Sequence, residues 1–193
     1  MVLYIHYIKK EDTMDNNNIE ISIADIQYFQ RYEMHEEALT VALQIPIDKL
    51  ESLNKCKLYK LISLSYRKLG LTEDALIYIN RAISVVKTEN NWDNKEKEIA
   101  ICLMNKGVIY DAAKSYKEAC DIYRQALSIF KSIEGIEDGI VANALINYAE
   151  ALLKINKRKK AVFIFRDILQ LINDENDMRY QYVINKLSEL ENK

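Results

Sequence analysis

The sequence predicts an all-α protein made of helix pairs stacked side by side. Three observations carry that expectation. The 193 residues hold only four glycines and one proline, too little turn punctuation for a many-stranded sheet. The remainder is rich in Leu, Ile, Ala, Lys and Glu, mostly good helix formers. One pattern of small, aromatic and aliphatic residues recurs four times at helical offsets, the mark of an architecture assembled from repeated supersecondary units.

Taken in order, helices are expected at 19–32 and 35–45, with Pro46 stopping the second of these. Asp48 is placed to cap a third over 48–69, whose apolar positions Leu50, Leu53, Leu58 and Leu61 keep helical spacing. Gly70 suits the left-handed residue that closes it, and Thr72 suits the N-cap of the next helix, 72–87. Further helices follow at 93–113, 116–132, 137–155 and 157–172, with Asn156 taking the left-handed turn between the last two. A helix at 177–191 is left unpaired and is expected to cap the stack. Residues 1–18, with Asn16, Asn17 and Asn18 in a row, show no helical period and are expected to form a mobile arm.

The repeated pattern is clearest where Gly107 leads to Tyr110, Ala119, Tyr123 and Ala126, in steps of 3, 9, 4 and 3. Ser63, Tyr66, Ala75, Ile79 and Ala82 keep the same steps, as do Ala149, Leu152, Ala161, Phe165 and Ile168. Ile26, Phe29, Ala38, Ala42 and Ile45 make a weaker copy. Small residues let two helix axes approach within about 8–10 Å, and rings fill the space left over. The pattern resembles the tetratricopeptide repeat over about residues 19–172. That resemblance implies a right-handed α-solenoid of about four helix pairs, near 19–47, 48–90, 91–135 and 136–174, plus the terminal helix. The copies start near Ile19, Cys56, Ala100 and Ala142, at intervals of 37, 44 and 42, longer than the usual repeat of about 34.

Composition narrows the function. A net charge of −2 and a pI of about 5.8 lack the basic excess of a nucleic-acid binder. The apolar opening Val2–Ile8 is too short to span a bilayer, and its lysines follow the apolar stretch, which is backwards for a signal peptide. A cytoplasmic protein with no membrane partner is therefore expected. Cys56, Cys102 and Cys120 form an odd set without a CxxC motif or a nearby His, so they read as buried free thiols, with no metal or other cofactor implied. His35 falls at an inter-helix turn and reads as solvated. No nucleophile with its base, paired carboxylates or phosphate cradle is visible, and the chain is read as a binding module, not an enzyme.

Each first helix carries a second stripe beside the one that faces its partner. In the third copy this stripe is Ile101, Met104, Asn105 and Val108, at i, i+3, i+4 and i+7. First helices line the concave side of a curved stack, so the stripe is expected to face a groove. Asn105 and Asn147 hold equivalent positions 42 residues apart, and Asn185 falls on a similar phase of the last helix. A carboxamide offers a donor and an acceptor and so matches the N–H and C=O of an extended peptide, whatever its side chains. Lys57, Lys60 and Arg67 are placed to attract acidic positions. The expected site is thus Asn105, Asn147, Asn185, Met104, Val108, Ile101 and Lys60, with a peptide or protein segment as its partner.

Lengthened repeats with groove asparagines further resemble the peptide-pheromone receptors of Gram-positive bacteria, the Rap-type phosphatases and quorum-sensing regulators, and also kinesin light chains. This implies a bacterial regulatory domain, although those receptors carry an N-terminal effector domain and only 18 residues precede the first copy here. The tetratricopeptide clamp for acidic chaperone tails matches less well. Lys60 and Asn105 fit it, but Leu64, Asn143 and Asn147 stand where it needs Asn, Lys and Arg. The alternative to peptide binding is a scaffold acting through its convex face or by self-association into a homodimer.

Overall fold

In the computed structural model, which describes residues 16–191, the chain is a single row of antiparallel helices. They are α1 (Asn16–Arg31), α2 (His35–Ala42), α3 (Ser52–Lys68), α4 (Thr72–Thr88), α5 (Lys95–Ala112), α6 (Tyr116–Lys131), α7 (Asp138–Lys154), α8 (Arg158–Leu171) and α9 (Met178–Glu191). Consecutive helices pack on each other throughout, and no strand occurs among the described residues. Most of the arm expected over 1–18 lies outside the described residues. Its last three residues, 16–18, instead open α1, a correction that agrees with the preference of asparagine for helix starts over helix interiors.

One turn joins the helices of each of the four pairs, and all four are the same turn. The chain goes left-handed at Glu33, Gly70, Lys114 and Asn156, with φ of 59°, 77°, 61° and 59°. In each, the following N–H donates back five residues, from Met34 to Phe29, Leu71 to Tyr66, Ser115 to Tyr110 and Lys157 to Leu152. This is the longer hydrogen bond of a Schellman C-cap. The four left-handed residues are separated by 37, 44 and 42 positions, the same intervals as the sequence copies. Glycine and asparagine mark two of these turns in the sequence; Glu33 and Lys114 carry no such mark.

The turns also correct two expected caps. Leu69 is the C-cap of α3 and Leu71 the N-cap of α4, with only Gly70 between them, so Thr72 is the first helical residue and caps nothing. Asp48 does not open α3 either; Ile47–Lys49 forms one 3₁₀ turn, and Leu50 is extended and buried before the helix starts at Ser52.

The core follows the copies. Ala38, Ala75, Ala119 and Ala161 are fully buried where second helices meet first ones, and Ala42, Ile79, Tyr123 and Phe165 are buried one turn on. Gly107 has a specific reason: a Cβ built there would lie 2.6 Å from Cδ1 and 2.9 Å from Cζ of Tyr123. The ring of Tyr123 occupies the space where any other residue would carry its side chain. His35, expected to be solvated, is buried at the start of α2, and its Nδ1 has no hydrogen-bond partner among the described residues. Burial, with Lys68 and Arg67 adding repulsion, holds its pKa below the ordinary value.

Candidate functional site

Curvature sets the inner wall. First helices touch one another in sequence, α1 with α3, α3 with α5, α5 with α7 and α7 with α9, and the second helices make no comparable set of contacts. A stack drawn together on one side bends toward that side. Polar links join each inner step. Gln30 donates through Nε2 to the Leu61 carbonyl at 2.7 Å and to Ser65 Oγ at 2.8 Å. Lys60 pairs with Glu98, Lys97 with Glu137 at 2.8 Å, and the Tyr182 hydroxyl donates to Glu150 at 2.6 Å.

Between α3 and α5 lies a hollow of about 240 Å³. Its lining includes Lys60, Leu64 and Arg67 from α3 and Asn105 and Val108 from α5. Three of the residues expected from sequence, Lys60, Asn105 and Val108, therefore meet in one place. Ile101 and Met104 do not line it; they are partly buried against the core that α5 shares with α6, α7 and α8. Asn147 is half-buried on α7, the next inner helix, and Asn185 is exposed on α9. Neither Asn105 nor Asn147 makes a side-chain hydrogen bond among the described residues.

The charges divide differently from the sequence expectation. Burial disfavours the Lys60 ammonium, but the hydrogen bond and charge of Glu98 outweigh it and hold the pKa above its ordinary value. Lys60 is thus already neutralised. Arg67, seven residues on, is half-buried with no ion pair among the described residues, and burial pulls its pKa down. A guanidinium keeps its charge through such a shift, so Arg67 is the cation left to meet an anionic group in the hollow.

One cluster escaped the sequence reading. Cys56 on α3 and Cys102 on α5 are buried beside Glu98, with Sγ to Oε1 distances of 3.7 Å and 4.0 Å. Its signal was available in the register. Adjacent copies here are offset by 44 residues, and Glu98 and Cys102 stand 42 and 46 residues after Cys56, two on either side of its equivalent.

Residues 98–174 match the family described as tetratricopeptide repeat. Residues 98–174 are thus tetratricopeptide repeats. The four like turns and the inner wall of first helices extend a tetratricopeptide-like fold along the whole stack. Its stack superposes on the apo form of RapI with a TM-score of 0.79 at 15% identity, over 98% of this chain and 53% of RapI. It superposes on the nearly identical TPR-like repeats of a Podosopora anserina kinesin light chain with a TM-score of 0.74 at 12% identity, over 93% of this chain and 88% of that one. A curated relative, the clustered mitochondria protein homolog of Candida albicans, is 22% identical over 120 residues, 62% of this chain. The chain spans about half of RapI and 9% of that relative. The repeats that residues 98–174 match are of the protein–protein interaction type. No helix among the described residues is long and apolar enough to cross a membrane.

Proposed function

We propose that the inner wall of this stack binds an extended peptide segment. The observation that carries the reading is the pair Asn105 and Asn147, half-buried on neighbouring inner helices and without side-chain partners among the described residues. Inner helices about 8–10 Å apart space the two carboxamides about three residues along a strand that rises about 3.3 Å per residue. Val108 and Leu64 supply apolar contact, and Arg67 meets a carboxylate of the guest, from an acidic side chain or the chain end. Asn185 extends the same ladder on α9. Ile101 and Met104 shape the wall from behind, and Lys60 keeps Glu98 neutralised while its stem lines the hollow.

The proposal includes a regulatory role in a bacterial cytoplasm. Each repeat contacts only its neighbours, so a guest spanning several inner helices changes the pitch of the whole stack, which a second protein reads.

A random peptide library displayed against the full chain, followed by fluorescence anisotropy of the selected peptides, tests the reading. Replacing both Asn105 and Asn147 by alanine removes about 1–3 kcal/mol of hydrogen bonding, which weakens binding by about fivefold to a hundredfold with the melting temperature unchanged. Arg67→Gln selectively weakens peptides that carry a carboxylate. Selected peptides whose binding ignores all three substitutions sink the proposal. The scaffold alternative rests on the outer side, where Phe163 stands 65% exposed on α8. Partner binding lost in Phe163→Glu and kept in the asparagine variants moves the function there.

A further inference from the structure

We propose that Cys56, Glu98 and Cys102 form a zinc site that ties α3 to α5. The two sulfurs and one carboxylate oxygen all lie within 4.8 Å of one another, with both thiols buried and Glu98 half-buried. Tetrahedral zinc with Zn–S of about 2.3 Å and Zn–O of about 2.0 Å needs S···O edges of about 3.5 Å and an S···S edge of about 3.8 Å. The observed S···O distances of 3.7 Å and 4.0 Å are already close to that edge. Side chains need draw in by less than about 1 Å to enclose the ion.

Donor chemistry and charge select the metal. Two thiolates exclude magnesium and calcium, which take oxygen ligands, and the carboxylate makes the set less suited to copper(I) than to zinc. Loading releases one proton from each thiol to solvent, and with the Glu98 carboxylate Zn²⁺ meets three negative charges, so one negative charge remains. The Lys60 ammonium, paired with Glu98, balances it. A tetrahedral ion keeps one further position for water or an incoming donor.

Zinc here would lock the angle between the two helices that bound the hollow, since Lys60 and Asn105 lie three or four residues from the ligands on the same helices. The site stands whether or not the hollow takes a peptide.

Cobalt(II) titration of the reduced, chelator-stripped full chain under anaerobic conditions provides the test. One equivalent of Co²⁺ should give a thiolate-to-metal charge-transfer band and the visible bands of tetrahedral cobalt, both displaced by Zn²⁺. Cys56→Ser and Cys102→Ser each abolish the charge-transfer band or its one-to-one endpoint, Glu98→Gln weakens Co²⁺ binding about tenfold or more, and Cys120→Ser changes nothing. In the unsubstituted chain, Zn²⁺ slows maleimide labelling of Cys56 and Cys102, but not of Cys120, in mild urea. Absence of a one-equivalent thiolate band, its unaltered survival in either serine variant, or labelling indifferent to Zn²⁺ overturns the proposal.

Discussion

Replacing Gly107 by alanine sets helix propensity against packing, and the structure decides which wins. In the middle of α5, Gly→Ala favours the helix by about 0.8–1 kcal/mol. The new Cβ, however, would stand 2.6 Å from Cδ1 of Tyr123, against a comfortable carbon–carbon distance of about 3.5–4.0 Å. The ring must shift by about 1 Å or the α5–α6 pair must spread. Neither is easy, because Tyr123 is 1% exposed and Ala119 and Ala126 beside it are fully buried. Overpacking of this kind costs about 1–3 kcal/mol and occasionally more, so Gly107→Ala should destabilise by a net amount of up to about 2 kcal/mol. With Tyr123→Val the ring is gone and the sign reverses: the same alanine then stabilises by about 0.8–1 kcal/mol. Urea unfolding followed by far-UV circular dichroism, on both single variants and the double, measures the coupling as shifts in midpoint at constant slope. A stabilising Gly107→Ala in the unsubstituted chain, or an equal effect in both backgrounds, refutes the account of why this position is glycine.

The pair turns give a second expectation. Lys114 holds φ of 61° where Gly70 holds 77° in the preceding pair. Left-handed backbone costs a non-glycine residue about 1–2 kcal/mol, and glycine gives back about 0.5–1 kcal/mol in the unfolded chain. Lys114→Gly should therefore raise the urea midpoint and Gly70→Ala lower it; the opposite signs would show the turns to be unequal. His35 supplies a pH dependence. Its folded pKa lies below the unfolded value of about 6.5, so the unfolded chain takes up the proton first. Stability should be full above about pH 6.5 and fall as the pH drops toward the folded value. Melting temperatures from pH 8 to 5 should lose this component in His35→Phe, and an identical profile in both proteins counts against burial of the imidazole.

Local chemistry made much of the stack readable in advance. The offsets from Gly107 to Ala126 and their copies are one helix pair written four times, because each pair solves the same problem of bringing two axes close enough to bury a face. Gly70 and Asn156 announced their turns, since few other residues enter left-handed backbone cheaply. Glu33 and Lys114 did not, because the geometry of the pair imposes that conformation on whatever residue falls there. Thr72 misled for a related reason: a turn shared by two helices leaves its cap position to Leu71.

Sequence by itself determined the helices, their pairing and the order of the stack, all of which follow from residues within about 45 positions of one another, the length of one repeat. It also placed Asn105 and Val108 on one helical stripe and Asn147 at the equivalent position of the next copy, because periodicity says which residues share a face. Only tertiary structure decided what that face meets. Glu98 neutralises Lys60 and leaves Arg67 as the unpaired cation, Ile101 and Met104 turn toward the neighbouring core, and Cys56 and Cys102 close on the same carboxylate. These pairings join different helices, and helical periodicity within one segment carries no information about the height and angle at which the next one packs.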